Sequence, residues 1–327
     1  MNKLPPFLRF RPIYRDYLWG GDRIAPRYGR SATPTPCAES WEISAHQDGD
    51  SMVADGPLAD RTLSALTDEF GRDLLGTRAP SASRFPLLFK IIDARQALSV
   101  QVHPSPADPT ADPAEYKNEC WHILDAEPGT PIYAGITPEI ATREALASLA
   151  SSAPRALASA LVRHTPRAGE TLYIPAGLVH AIGAGALIYE VQQNSNTTYR
   201  LYDWDRRGPD GKPRALHFDA ALRSIDFSLP PPRFVAPHPL SQPGATQGSL
   251  CLQTPYFTIL EFGAATERHP AGSSFEALFV KSGTWRAEAK GATATLGVGD
   301  SLLIPAECQE YRLTPDRQDA AILVTTL

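Results

Sequence analysis

Two stretches of this chain repeat one another without a gap. Ala168–His180 reads AGETLYIPAGLVH, and Val298–Glu310 reads VGDSLLIPAECQE. Gly169 falls on Gly299, Glu170 on Asp300, and Ile174-Pro175-Ala176 on Ile304-Pro305-Ala306. A glycine-acid turn, an apolar strand and a proline-led corner make one supersecondary unit, so its double use predicts two related β-barrels. Proline and glycine number 31 and 23 among 327 residues, punctuation that suits many short strands better than a helical bundle. Runs rich in Val, Ile, Leu, Phe and Tyr supply those strands: Phe85–Ile92, Leu98–His103, Trp121–Leu124, Thr171–Ile174 and Leu187–Gln192. Helical spacing is confined to Arg61–Leu75 and the alanine-rich Thr142–Val162. Thr137-Pro138 reads as the cap and first turn of the second helix, which Pro154 should split. Leu229–Gly244 (LPPPRFVAPHPLSQPG) reads as a linker that cannot sustain pairing. It divides the chain into residues 1–245 and a strand-only unit, 246–327.

Composition narrows the function classes. Hydrophobic residues make up 43% and charged residues 20%, as in a folded globular protein. With 31 basic against 36 acidic residues the net charge is -5, which argues against a general affinity for nucleic acid or an anionic membrane surface. No apolar run approaches the roughly 20 residues that cross a bilayer. The opening MNKLPPFLRFRPIYRDY has no apolar core or cleavage site of a signal peptide. The four cysteines, at 37, 120, 251 and 308, form no C-x-x-C pair, so the expected compartment is the reducing cytoplasm.

The first repeat ends in His180 where the second has Glu310, and has Gly177 where the second has Glu307. Gly169, Pro175, Gly177 and His180 together resemble the second sequence motif of the cupin jelly-roll barrels, whose histidine binds a metal inside the barrel. Position 184 is Ala, where that motif carries Asn. The resemblance implies a metal in the first barrel and none in the second. Partners are available upstream. In LSVQVH, period-two alternation puts Ser99, Gln101 and His103 on one face and Leu98, Val100 and Val102 on the other. Three polar side chains on one face of an apolar strand are costly unless satisfied. Glu119 opens the next strand, with Lys117 two residues earlier on the same face. Two imidazoles, a carboxylate and an amide oxygen suit a divalent ion such as Zn²⁺ and leave one position for water or substrate. The remaining histidines, His46, His122, His164, His217, His238 and His269, read as structural. Downstream, the polar run Gln192–Trp204 carries Arg200, a permanent charge suited to an anionic intermediate or a phosphate. Lys90 and Lys117 are the other cations near this site, and Lys117 could shuttle a proton.

Three blocks in order, FPLLFKIIDARQALSVQVHPSPADP, KNECWHILDAEPGT and GETLYIPAGLVHAIGAGALIYEVQQNSNTTYRLYDWDR, resemble the type I mannose-6-phosphate isomerases, as do DYLWGG and AESWEIS. The resemblance covers most of residues 14–225. It implies an all-β pair of cupin-like jelly-roll barrels with a small helical insertion, and one Zn²⁺ per chain held by Gln101, His103, Glu119 and His180. It further implies Arg200 and Lys117 as catalytic residues, Ser99 and Lys90 as substrate-binding residues, and a hexose phosphate as substrate. The implied reaction interconverts mannose 6-phosphate and fructose 6-phosphate through a cis-enediolate. Asn196 stands where the family usually has Asp, removing a negative charge close to Arg200. A cupin non-haem iron oxygenase and a non-catalytic sugar-binding cupin are the alternatives, since two histidines and a carboxylate also describe an iron site.

Overall fold

Every residue of the strand Leu87–Ala94 is buried, so it must carry protein on both faces rather than on one. The computed structural model, which describes residues 3–31, 33–240, 248–270 and 272–327, shows what covers it. Eight strands follow in order: β1 (Leu87–Ala94), β2 (Val100–Val102), β3 (Glu119–Ala126), β4 (Ile132–Ile136), β5 (Leu161–His164), β6 (Thr171–Ile174), β7 (His180–Ile182) and β8 (Ala186–Gln193). They form two antiparallel sheets ordered β1-β8-β3-β6 and β2-β7-β4-β5. Eight more repeat the plan: β9 (Thr258–Phe262), β10 (Thr266–Arg268), β11 (Glu276–Ser282), β12 (Trp285–Ala289), β13 (Ala292–Leu296), β14 (Ser301–Ile304), β15 (Tyr311–Pro315) and β16 (Ala321–Thr326). Their sheets are ordered β9-β16-β11-β14 and β10-β15-β12-β13. The short repeat seen in the sequence thus extends to a whole double-sheet jelly roll of cupin type. Gly169 and Gly299 lead into β6 and β14 at φ 88° and 84°, a region that glycine enters at little cost.

Within the first copy, Ile92, Trp121, Ile123, Leu172, Ile174, Ile182 and Ile188 fill the space between the sheets. The opposite faces of β1, β3 and β8 pack back to back against β9, β11 and β16. Tyr189 stacks on Phe279 at 4.2 Å between ring centroids, and Phe85 lies 4.7 Å from Phe275. That shared core is why Leu87–Ala94 has no polar alternation. The outer face of the second sheet is covered by helices: Leu146, Leu157 and Ala221 pack on Val100, Val102, Val179 and Ala181.

The helices and the linker differ locally from the sequence expectation. The segment Thr142–Val162 is split before Pro154, as expected; its α part runs from Arg143 to Ser152, capped by the Thr142 hydroxyl, which accepts from the Ala145 N–H at 3.2 Å. Thr137-Pro138 opens a separate 3₁₀ turn, and the segment after Pro154 is 3₁₀ rather than α before it enters β5. Arg61–Leu75 becomes Leu63–Phe70 and Arg72–Leu75, broken where Gly71 takes φ 48°. The expected linker is not idle either. Val235 exchanges two 2.9 Å backbone hydrogen bonds with Thr171, because a non-proline residue between prolines still has both groups to satisfy. Residues 241–244 of that linker, and the expected boundary at 245/246, lie outside the described residues. From 248 onward every described element is a strand, as expected. No helix among the described residues is long and apolar enough to cross a membrane.

The strand register also identifies what became of the second copy's interior. Glu119 pairs with Ile174 across β3 and β6, and Glu276 pairs with Ile304 across β11 and β14. Since Ile174 and Ile304 are equivalent in the repeat, Glu276 is the counterpart of Glu119. Gln101 faces His180 across β2 and β7; Arg268 faces Tyr311 across β10 and β15. The inward position in β15 is therefore Tyr311, while Glu310, which the sequence alignment sets opposite His180, points to solvent with 76% of its side chain exposed. A slip of one residue turns a strand's faces over. In this second interior the Arg268 guanidinium grips both Glu276 oxygens, and the Tyr311 hydroxyl donates to the same carboxylate. An arginine supplies the positive charge here. Arg268→Ala would leave the nearly buried Glu276 carboxylate uncompensated and is expected to cost about 3–5 kcal/mol of stability. Urea unfolding of Arg268→Ala beside the Arg268→Ala/Glu276→Gln pair checks this: the double variant should recover part of the loss.

Candidate active site

Three adjacent strands align one polar row. Arg200 in Tyr199–Tyr202 lies opposite Gln101 in β2, and Gln101 lies opposite His180 in β7. His103 follows at the end of β2, and Glu119 reaches across from the first residue of β3 in the facing sheet. His103 Nε2 lies 3.2 Å from Glu119 Oε2, and His180 Nε2 lies 3.4 Å from Oε1. One ligand atom from each of the three residues lies within 4.8 Å of the others, and all three side chains are buried.

The protonation of this cluster follows from its surroundings. His103 Nδ1 is 3.0 Å from the Thr197 carbonyl and His180 Nδ1 is 2.9 Å from the Leu178 carbonyl. A carbonyl oxygen only accepts, so both Nδ1 atoms carry the proton and both Nε2 lone pairs face inward. Burial, aided by the Lys117 charge, pushes the His103 pKa down to about 3, and burial lowers that of His180. Burial alone would raise Glu119, but the Lys117 ammonium holds it well below the usual carboxylate range. The result is two neutral imidazole lone pairs facing an ionised carboxylate. His103 Nε2, Glu119 Oε1 and Glu119 Oε2 have no hydrogen-bond partner; Lys117 Nζ, 3.0 Å from Oε2, is not aligned for one. Leaving such acceptors unsatisfied costs roughly 1–3 kcal/mol each. A divalent cation among them removes that cost, so the donor set fits a metal. Gln101 is adjacent but turned: its amide nitrogen donates to His180 Nε2 at 3.3 Å, while its oxygen accepts from Ser99 Oγ at 2.9 Å. The fourth expected ligand is thus present in position, with its amide oxygen facing Ser99.

A cavity of about 120 Å³ opens beside this cluster, lined by Ser99, Gln101, Lys90, Lys117, Trp121 and Arg200 among others. Its cations differ in availability. Lys90, buried, sits 3.6 Å from Glu39 and 3.4 Å from Glu190, which hold its pKa above the usual lysine value against the pull of burial. Arg214 is held bidentate by Asp203 at 2.6 and 2.7 Å. Arg200 has no carboxylate partner within salt-bridge distance among the described residues, and its buried Nε has no acceptor. Its backbone is fixed instead, by His217, whose N–H donates to the Arg200 carbonyl and whose Nδ1 accepts from the Arg200 N–H. Asn196, also in the cavity wall, donates to Asp48 Oδ2 at 2.8 Å.

Sequence reasoning overlooked Glu39 and Glu190. The signal was available for Glu190, the one acid in its strand, which lies directly opposite Lys90 in the β8–β1 register; Glu39 shares its strand with Glu42 and gave no such signal. A wider depression of about 440 Å³ lies on the second copy beside Glu267, His269, Glu288 and Glu310. Its His269 and Glu310 side chains are 62% and 76% exposed, so water already satisfies them.

Comparison with known proteins gives the chain's family. Residues 7–122 match the family model of the phosphomannose isomerase type I catalytic domain. Mannose-6-phosphate isomerase ManA of Bacillus subtilis (strain 168) is 34% identical over 314 residues, 94% of this chain and 95% of that protein. The crystal structure of the mannose 6-phosphate isomerase from Bacillus subtilis superposes with a TM-score of 0.86 at 29% identity, covering 99% of this chain and 100% of that one. A mannose 6-phosphate isomerase crystallised with zinc bound shares the fold at a TM-score of 0.74 and 18% identity, over 98% of this chain and 99% of that one. The chain belongs to the type I phosphomannose isomerase family.

Proposed function

We propose that this protein interconverts mannose 6-phosphate and fructose 6-phosphate, with one Zn²⁺ held by His103, Glu119, His180 and, once its amide turns, Gln101. The observation that carries this reading is the buried cluster of imidazole and carboxylate lone pairs around Glu119, where Lys117 faces Oε2 at 3.0 Å without donating a hydrogen bond to it. When bound, the ion supplies Lewis-acid polarisation of the substrate's carbonyl and hydroxyl oxygens. The chain's own residues do the rest. Lys117, whose Nζ already faces Glu119, moves the proton between C1 and C2 on one face of a cis-enediolate: once its own ammonium proton has passed to solvent, the free amine takes the proton from one carbon and returns it to the other. Arg200 lends its unneutralised charge to the developing oxyanion and holds the opened sugar phosphate. Ser99, beside the Gln101 amide, and Lys90, within its pair of glutamates, line the cavity and contact the substrate. The catalytic unit is residues 1–245, and 246–327 is a metal-free copy whose interior charge is Arg268. Four free, buried cysteines support a cytoplasmic setting.

A coupled assay on mannose 6-phosphate, run with and without a chelator, tests this. Turnover should vanish on chelation and return with added Zn²⁺. Sugar phosphate binding without turnover would overturn the assignment. Iron in the purified protein with oxygen consumption would favour an oxygenase.

A further inference from the structure

The Thr197 carbonyl sets the tautomer of His103, so whatever holds the 194–198 segment in place also aims a metal-facing nitrogen. Asn194 is anchored to Ala45, Phe85 and Pro86, Ser195 to Gln192 and Asn196 to Asp48. The two side-chain hydroxyls of the segment nearest that carbonyl converge on one further side chain. Glu115, in the 3₁₀ turn Pro113–Glu115, accepts from Ser195 Oγ at 2.7 Å and from Thr197 Oγ1 at 2.9 Å, both on Oε2. Its other oxygen faces Arg84 at 3.8 Å, and Arg84 in turn donates to the Asn194 carbonyl at 2.7 Å. Ser195 Oγ then accepts from the Thr197 N–H at 3.2 Å, closing the segment on itself. Neither Glu115 nor Arg84 touches the cavity or the cluster. The path runs from a half-buried carboxylate, through two hydroxyls, to a single backbone carbonyl and from there to His103 Nδ1.

We infer that Glu115 is a positioning residue for the metal centre, acting through Thr197 on the orientation and tautomer of His103. This rests on the metal reading above. The logic is that of an outer partner that orients a ligating histidine, where loss of the partner lowers metal affinity about 10- to 100-fold. Glu115 lies one step further out, so Glu115→Ala should sit at the lower end, about tenfold. A role confined to charge and one exercised through hydrogen bonds separate cleanly. Glu115→Gln keeps a carbonyl oxygen able to accept from both hydroxyls while losing the charge that faces Arg84.

The experiment uses the full chain, stripped of metal, with Zn²⁺ affinity read by competition against a chromophoric chelator. The visible absorption bands of the Co²⁺-loaded protein report ligand geometry. Glu115→Ala should bind Zn²⁺ about tenfold more weakly with altered Co²⁺ bands, Thr197→Val should lose affinity in the same direction, and Glu115→Gln should stay near wild type. Metal-free Glu115→Ala should melt somewhat lower, because the buried Ser195 hydroxyl loses its acceptor, while Glu115→Gln should melt with wild type; the Co²⁺ bands read the ligand geometry independently of that loss. Equal Zn²⁺ affinity in wild type and Glu115→Ala overturns the proposal alone. A wild-type chain that takes up no Zn²⁺ overturns the metal reading and this proposal with it.

Discussion

Glu119→Gln is expected to lose the divalent ion and, with it, nearly all turnover. Glu119 is the one charged donor in the cluster, and both its oxygens face imidazole lone pairs at 3.2 and 3.4 Å. A neutral amide keeps one oxygen, but it turns an N–H₂ group toward one imidazole and leaves Lys117, buried beside it, without its partner. Removing that charged ligand should weaken Zn²⁺ binding by at least about 100-fold, or ~2.7 kcal/mol, more than the loss of an orienting partner costs. Turnover should fall by about a thousandfold or more, because the polarisation of the reacting oxygens disappears with the ion. Zinc content after dialysis, chelator competition and the coupled assay read the three quantities. A Glu119→Gln protein that keeps one tightly bound zinc would show that the ion sits elsewhere.

Arg200→Ala should do the opposite on one axis: retain the metal and lose about 10²–10³ in turnover, the scale on which a single preorganised donor to a developing oxyanion contributes. The cations around the cavity look alike in the sequence, and their neighbours set them apart. Lys90 is balanced by Glu39 and Glu190, Lys117 by Glu119, and Arg214 by Asp203. Arg200 alone among these four has no carboxylate partner in the described residues, so a substrate anion need not compete for it. Burial and the nearby Arg214 lower its pKa, yet a guanidinium that starts from its usual value stays charged. Arg200→Lys should recover only part of the rate, because a lysine lacks the planar fork that can hold two oxygens together. Near wild-type isomerisation by Arg200→Ala would mean that Arg200 has been given the wrong role. His217 offers an internal control: it pins the Arg200 backbone through two hydrogen bonds without reaching the cavity wall.

Much of the site was legible because polar residues in apolar strands have few ways to be satisfied. Ser99, Gln101 and His103 announced an inward polar face by their alternation, and the structure pairs Ser99 with Gln101 on it. Glu119 and Lys117 were read as sharing a face, and their side chains meet at 3.0 Å. The helices were less legible. Thr137-Pro138 and Thr142 are both good starts, and the choice between them depends on where the chain must turn to lay Leu146 and Leu157 against the second sheet. That information is not local.

The sequence alone determined the class of fold and the kinds of chemistry available. A duplicated turn-strand-corner unit and period-two alternation are short-range patterns, and both depend on residues close together in the chain. The tertiary structure decided which charges remain free, which nitrogen of each histidine faces inward, and which residue of β15 enters the second interior. The His180 tautomer is set locally, by Leu178, but the others depend on partners far along the chain: Glu190 opposite Lys90, Thr197 beside His103, Arg268 across from Tyr311. Electrostatic pairing and strand register are settled in space, where a shift of one residue or a few ångströms reverses the result.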